Sequence, residues 1–272
     1  MAQREALSQV RISVRNLVEF VMRSGDLDDR RMAGAKKEAM QAGSRLHRKI
    51  QRRMGSDYQA EVSLKHTVKE DSFELLIEGR ADGIIIEPGG VTIDEIKCIY
   101  MDPGRLEEPD PVHMAQALCY GTIYAVHHDL EEIGIQLTYC NIETEEIRRF
   151  KEVKTREELE DWFKGLIHEY VKWARYLYHH RMRRQECLKT LQFPYAYREG
   201  QKELAACVYR SVAEGRNLYI QAPTGVGKTL STVFPSLKAM GEGYGEKLFY
   251  LTARTITRSV AEEAFDILRG EK

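Results

Sequence analysis

The segment GRADGIIIEPGGVTIDEIK, residues 79–97, decides the fold of the first part of this chain. Two apolar runs flank EPGG (residues 87–90), and proline followed by glycine at the centre of four residues is typical of a type II turn. The segment therefore predicts a β-hairpin. Counting outward from this turn sets Asp82 directly opposite Glu95, and Arg80 opposite Lys97.

Facing residues of a hairpin share one side, because strand side chains alternate with a period of two. Asp82, Glu95 and Lys97 are therefore predicted to form one cluster. Two facing carboxylates repel each other, and a divalent cation such as Mg²⁺ or Mn²⁺ between them removes that cost. A three-residue loop would instead shift the pairing by one and turn Glu95 to the other face. At this point a cation site and an ordinary solvated face both remain open.

The order of short motifs around this hairpin resembles the core of the PD-(D/E)XK nucleases, in their RecB-like branch. GRAD and IDEIK form the hairpin, GSRLH (residues 43–47) precedes it on a predicted helix, and QALCY (residues 116–120) follows on another. The resemblance implies an α/β fold with a mixed sheet flanked by helices over residues 1–184. It also implies metal-dependent DNA cleavage, with the cation held by Asp82, Glu95 and the carbonyl of Ile96. His47 would be a further ligand of the cation or would contact the scissile phosphate.

The same resemblance implies further roles. Lys97 would orient or deprotonate the attacking water, which completes a catalytic set of Asp82, Glu95, Lys97 and His47. Gln116 and Tyr120 lie four residues apart, so they share a helix face that would contact the DNA backbone. These residue types suit phosphodiester hydrolysis, which needs a cation to polarise the phosphoryl oxygen and positive charge to stabilise the transition state. The alternative is a nuclease fold that acts only as a DNA clamp.

A second motif, APTGVGKT at residues 222–229, predicts a phosphate-binding loop. An apolar run at 217–221 predicts a strand before it, and a helix is predicted to follow. Gly225 and Gly227 let the backbone curl so that its N–H groups point inward. Lys228 would reach the β- and γ-phosphates of ATP, and the hydroxyl of Thr229 would bind Mg²⁺.

The flanks of this loop resemble DinG/XPD-like DNA helicases. FPYAYREGQ (residues 193–201) resembles the stretch that precedes their phosphate loop, which implies that Arg198 and Gln201 belong to the ATP site and that Gln201 reads adenine. YLTART (residues 250–255) resembles their next motif, which implies DNA contacts by Thr252 and Arg254. In that family an iron–sulfur cluster lies in a region that would fall beyond residue 272. None is expected in this chain.

Three segments follow from these patterns. Residues 1–184 are the nuclease-like domain, residues 185–200 a linker that includes the adenine-reading segment, and residues 201–272 the incomplete start of a RecA-like ATP-binding lobe. The RecA-like part includes a predicted strand at 247–252. No acidic second motif follows the loop, so we expect a longer protein and no efficient ATP hydrolysis by these residues alone.

Composition limits the class of protein. The 272 residues are 43% hydrophobic, which supports packed cores, and the net charge of −1 requires any DNA contact to use local patches. No apolar run reaches membrane-spanning length. Five cysteines without a C-x-x-C motif suit reduced thiols in a bacterial cytoplasm. The two resemblances together imply an ATP-dependent DNA helicase fused to a nuclease, which would act on single-stranded or branched DNA in repair or recombination. The rival for the second motif is a non-helicase NTPase.

Apolar periodicity predicts the remaining elements. Asp28 is a candidate helix cap, and Pro235 predicts a kink or an early end in the helix after the phosphate loop. We expect helices at 10–23, 28–54, 112–127 and 155–184, and strands at 58–68, 72–87, 91–99, 133–142 and 146–153.

Overall fold

The computed structural model describes residues 8–25, 35–223, 225–253 and 255–270, except for the side chains of residues 8, 35–40 and 255–257. The chain divides into two units between Arg175 and Tyr176, which is earlier than the predicted boundary at 184. The elements, in chain order, are β1 (Ser8–Ser13), α1 (Val14–Val21), α2 (Ala35–Arg53), β2 (Tyr58–Lys69), β3 (Phe73–Glu87), β4 (Gly90–Ile99), α3 (Pro111–His127), β5 (Glu132–Asn141), β6 (Ile147–Thr155), α4 (Arg156–Thr190), α5 (Gln201–Ala213), α6 (Lys228–Gly241) and α7 (Thr255–Arg269).

The first unit is built on a mixed six-stranded sheet whose central strand is β3. One edge of β3 pairs with β2 along nearly its whole length. The other edge changes partner: residues 73–78 pair in parallel with β1, and residues 83–87 pair antiparallel with β4. Strand β4 continues the sheet in parallel with β5, which forms a hairpin with β6. Residues 79–82 therefore lie in a gap between the two partners of that edge.

The predicted hairpin register is confirmed up to this gap. Ile86 pairs with Val91 and Ile84 pairs with Ile93, as counting from the two-residue turn requires. The predicted turn type is wrong, because a type II turn needs a left-handed φ at residue 89. The positive φ of 142° is instead found at Gly90. The ladder between β3 and β4 ends at Gly83, so the strands separate at Asp82.

Helices cover both faces of the sheet, which confirms the mixed α/β class with flanking helices. On one face, Leu46 and Ile50 of α2 pack over Ile96 of β4. On the other face, Gly121 of α3 lies against Ile135 of β5. Side chains alternate along a strand, and paired positions of parallel strands share a face. Even-numbered residues of β4 therefore face α2, and odd-numbered residues face α3.

The N-terminal helix predicted at 10–23 is wrong in its first part. Residues 8–13 form a strand, because the parallel edge of β3 supplies hydrogen bonds there. Helix α1 starts at Val14, where the hydroxyl of Ser13 accepts the N–H of Asn16 at 3.1 Å. The candidate cap Asp28 lies outside the described residues.

The second unit is helical in the residues that the structure describes. The strands predicted at 217–221 and 247–252 are not formed there. A strand needs a hydrogen-bonded neighbour, and a hydrophobic run does not supply one by itself. Tyr219 is 92% exposed and Leu251 is 89% exposed, so neither segment is packed. Helix α6 continues through Pro235, so the predicted early end is not found, whereas the alternative of a kink stays a prediction. None of the described helices has the length and apolarity that crossing a bilayer requires.

Candidate active site

The carboxylate of Asp82 fills the gap where β3 and β4 separate. Its Oδ2 accepts the backbone N–H of Ile96 at 2.8 Å, which replaces the missing ladder bond with a side-chain bond. The same oxygen lies 3.1 Å from Nε2 of His47, which α2 places beside the gap. The hydrogen bond to Asp82 raises the pKa of His47 above its ordinary value, although burial opposes this shift. The carboxylate of Asp82 on β3 thus contacts both β4 and α2.

Glu95 is almost completely buried, with 1% of the residue exposed. Lys97 donates from Nζ to Oε1 of Glu95 at 2.8 Å, whereas Oε2 has no hydrogen-bond partner among the described residues. Burial, followed by the charge of Asp82, raises the pKa of Glu95 to about 7 in spite of Lys97. A buried carboxylate oxygen without a partner is unfavourable, and a cation would offset that cost. Carboxylate and carbonyl oxygens are the ligands that Mg²⁺ prefers, so this donor set fits Mg²⁺ or Mn²⁺.

Lys97 is held in place from the α3 face of the sheet. Its Nζ also donates to Oε1 of Gln116 at 2.9 Å. One helical turn later, Tyr120 is only 3% exposed, and its ring lies so close to Gly79 that an added Cβ would meet it at 2.8 Å. The hydroxyl of Tyr120 interacts with the side chain of Gln116 and with the backbone of Arg80. Gln116 and Tyr120 therefore interact on one face of α3, as predicted, but Tyr120 is buried there against Gly79. The contact of this face with DNA stays a prediction.

The two adjacent carboxylates of β4 have different surroundings. Asp94 is buried on the α2 face, and three groups donate to it: the hydroxyl of Tyr58 at 3.3 Å, Nε2 of Gln136 at 3.0 Å, and the hydroxyl of Thr138 at 2.5 Å. The carboxylate of Asp94 is thus already hydrogen-bonded by side chains of the sheet. Glu95, one residue later, faces α3 and keeps one oxygen for another partner.

Sequence reasoning missed Glu61 of β2. One possible ligand atom from each of His47, Glu61 and Asp82 lies within 4.8 Å of the others. The β2–β3 register brings Glu61 opposite Asp82, since Ala60 pairs with Gly83 and the pairing resumes two residues further on. The signal was present in the sequence, but it required the register of a second hairpin.

The phosphate-loop motif of the second unit forms a tight curl at the start of α6. Gly225 and Gly227 have φ values of 88° and 72°, which non-glycine residues adopt only with strain. Helix α6 begins at Lys228. The ammonium of Lys228 donates to the carbonyl of Ala222 at 2.9 Å and to that of Pro223 at 2.6 Å.

The first residue of α5, Gln201, and the segment before it contact this loop. Nε2 of Gln201 donates to the carbonyl of Val226 at 2.8 Å, and Nη1 of Arg198 donates to that of Gly225 at 2.6 Å. Beside them lies a cavity of about 250 Å³, whose lining includes Thr229. Of the other predicted residues, Thr252 is exposed, whereas Arg254 lies outside the described residues, as does Thr224 within the loop.

No model of a known protein family matches the chain. Over 47 residues it is 47% identical to a probable ATP-dependent helicase of Methanocaldococcus jannaschii, and this stretch is 17% of the chain and 7% of that protein. The solved structure of SSO0001 is similar with a TM-score of 0.39 and 20% identity, over 61% of this chain and 77% of that one. An alkaline exonuclease (LHK-Exo) from Laribacter hongkongensis gives a TM-score of 0.34 and 14% identity, over 62% and 92%.

Proposed function

We propose that the first unit is a Mg²⁺- or Mn²⁺-dependent DNA nuclease whose active site is the gap between β3 and β4. The observation that carries this proposal is the buried Oε2 of Glu95 beside Asp82, which has no partner among the described residues. Asp82, Glu95, His47 and the carbonyl of Ile96 would hold the cation. When bound, it would polarise a phosphoryl oxygen and activate the attacking water.

Lys97 supplies the positive charge next to the reacting phosphate. An ammonium has three N–H donors, and Glu95 and Gln116 take two of them. The third remains for a phosphate or water oxygen, and the Lys97 side chain is 20% exposed, so a substrate can reach it. Tyr120 holds Gln116 in place and thereby fixes the position of the ammonium.

Cleavage of a labelled single-stranded DNA in the presence of Mn²⁺ tests this proposal. We expect cleavage by the wild-type chain and a loss of at least about 100-fold in Asp82→Asn and Lys97→Met. Glu78→Gln serves as a matched control, because Glu78 lies on the same strand and forms an ion pair with Lys65 at the surface. Equal cleavage by wild type and both site variants would overturn the proposal. Binding of DNA by wild type without cleavage would instead support the DNA clamp.

We also propose that the second unit binds ATP at residues 222–229, and that the whole protein is an ATP-dependent helicase acting on single-stranded or branched DNA in repair or recombination. The left-handed glycines and the helix that starts at Lys228 support an anion site. Lys228 would exchange the carbonyls that it now contacts for phosphate oxygens, Thr229 would bind Mg²⁺, and Gln201 would contact adenine. The short identity with a probable helicase agrees with this assignment.

Titration of a fluorescent ATP analogue into the chain tests the second proposal. We expect binding by wild type and at least about tenfold weaker binding by Lys228→Ala, because a charged partner of the phosphates is lost. Equal binding by both proteins would contradict the assigned loop. A full-length protein that binds ATP but whose hydrolysis does not respond to DNA would favour the non-helicase NTPase.

A further inference from the structure

We infer that the DNA strand of the proposed nuclease follows α2, with its phosphates on Arg45, Arg48 and Arg52. This inference deepens the proposed nuclease function and rests on it. The three arginines, which we call the arginine strip, are all exposed. Helix α2 also carries His47, whose Nε2 lies 3.1 Å from Oδ2 of Asp82 in the gap. The strip therefore lies on the helix that borders the proposed cation site.

The arginine strip forms a row along one flank of α2. Residues three or four apart are neighbours on a helix, with Cβ atoms about 5–6 Å apart, and the three arginines have this spacing. The side chains of His47 and Gln51 both contact Asp82, and each of these two residues is followed directly by an arginine of the strip. One residue is a step of about 100° around the helix. The row therefore runs beside the face that α2 turns toward the gap.

Two further cations of α2, Lys49 and Arg53, lie toward its other flank. Both form ion pairs with Glu145, in the turn between β5 and β6, and Arg53 approaches Oε2 of Glu145 at 3.4 Å. Their charges are thus offset within the first unit. Because Lys49 and Arg53 belong to the same helix and are also exposed, they provide an internal comparison for the strip.

The guanidinium groups of the strip are available to an external anion. Arg48 donates from Nε to the backbone carbonyl of Ser44 at 3.1 Å, and its two terminal nitrogens point to further donors. Arg45 and Arg52 make neither an ion pair nor a side-chain hydrogen bond with the part of the chain that the structure describes. The strip thus differs from the neighbouring cations, which already have a carboxylate.

This concentration of charge has a cost that an anionic ligand would offset. Residues 41–53 contain five arginine or lysine residues and no acidic one, although the whole chain has a net charge of −1. Like charges three or four residues apart destabilise a helix. The helix dipole favours cations in the last turn, which includes Arg52 but neither Arg45 nor Arg48. Folding alone thus does not account for the strip, whereas a polyanion beside the helix would.

The phosphate backbone of DNA suits such a row. Guanidinium groups bind phosphate oxygens with paired hydrogen bonds. A strand on the strip would lie beside the gap, where Lys97 keeps one N–H donor for the phosphate that is cut. Contacts to phosphates carry no information about the bases, so this binding should not depend on base sequence.

Binding of a fluorescently labelled single-stranded DNA to the full chain, in EDTA to prevent cleavage, tests the inference. The strip variant combines Arg48→Gln with Arg52→Gln. The control combines Lys49→Gln with Arg53→Gln, which removes two charges from the same helix at the same spacing. Each phosphate contact on a single strand contributes about 0.7 to the slope of log K against log salt, so two contacts are worth about 25-fold at about 0.1 M salt.

We expect the strip variant to bind about 25-fold more weakly than wild type, with a salt slope that is smaller by about 1.4, and the loss should be equal for two unrelated base sequences. The control should stay within about threefold of wild type. Arginine and glutamine have similar helix propensities, so the free energy of unfolding in urea should be equal or higher in the strip variant, because repulsion is relieved. If that variant fails to fold, Arg45→Gln alone should bind about fivefold more weakly.

The outcomes separate this inference from the proposed nuclease. Unchanged affinity and salt slope in the strip variant, or an equal loss in the control, would overturn the inference alone. Binding that depends on the strip, in a wild-type chain that does not cleave DNA with Mn²⁺, would overturn the nuclease and support the DNA clamp. A wild-type chain that binds no DNA would overturn both.

Discussion

Replacing Glu95 with glutamine should stabilise the first unit at pH 8 when no cation is present. Folding raises the pKa of Glu95 from 4.5 to about 7, chiefly through burial. At about 1.4 kcal/mol per pKa unit, the ionised carboxylate destabilises the folded state by about 3 kcal/mol above pH 7. Glutamine keeps a hydrogen bond with Lys97 but loses its charge assistance, at a cost of about 1 kcal/mol. We therefore expect a net gain of about 2 kcal/mol in the free energy of unfolding.

The sign of the pH dependence follows from the raised pKa. A group whose pKa is higher in the folded state stabilises that state fully when the pH is below the pKa of the group in the unfolded chain. This stabilisation is lost as the pH rises through the pKa of the group in the folded state. The free energy of unfolding of wild type should therefore fall, relative to Glu95→Gln, between pH 4.5 and about pH 7. Urea unfolding in EDTA, followed by the fluorescence of Trp162 and Trp173, measures this difference. Both tryptophans belong to the first unit.

Asp94→Asn is the control for this experiment. Asp94 is equally buried, but it has three donors, so losing its charge should destabilise the unit by about 1–3 kcal/mol throughout this pH range. Mn²⁺ at about 100 times its dissociation constant should add about 2.7 kcal/mol to wild type and much less to Glu95→Gln. A Glu95→Gln variant that is less stable than wild type at pH 8 in EDTA would refute the reasoning about the buried charge.

Three further predictions concern residues around the site and in the core of the first unit. Gly83→Ala should lower the free energy of unfolding by about 2 kcal/mol or more in the urea assay, because an added Cβ would meet the hydroxyl of Tyr58 at 1.9 Å. Burial lowers the pKa of His66 below 6.5, so the wild-type chain should lose stability as the pH falls from 6.5 through that lower value, and His66→Gln should lose less in the same assay. Tyr120→Phe keeps the ring but removes the hydroxyl that interacts with Gln116, so DNA cleavage should slow by about tenfold while calorimetry shows unchanged Mn²⁺ affinity.

The hairpin could be predicted from the sequence because its geometry is local. A two-residue turn fixes the register, and alternation then determines which residues share a face. The same two rules predict that Asp82 and Glu95 lie close together. They do not predict that the strands separate at this point, since the gap arises where β3 exchanges β4 for β1.

The features that the sequence did not reveal depend on distant partners. Residues 8–13 form a strand because they pair with residues 73–78, far along the chain. The position of Glu61 beside His47 depends on the packing of α2 against the sheet as well as on a second hairpin. Tyr120 lies on the predicted helix, but its burial follows from its contact with Gly79. In the second unit, the apolar runs at 217–221 and 247–252 have no strand to pair with among the described residues.

A crystal structure of the chain grown with Mn²⁺ tests the central claim most directly, because the anomalous signal of manganese locates the ion without assumptions about chemistry. We predict a peak in the gap between β3 and β4, about 2.1 Å from carboxylate oxygens of Asp82 and Glu95, with Nε2 of His47 turned toward it. A map that shows no manganese between these carboxylates, in crystals where the ion is bound elsewhere, would contradict the account.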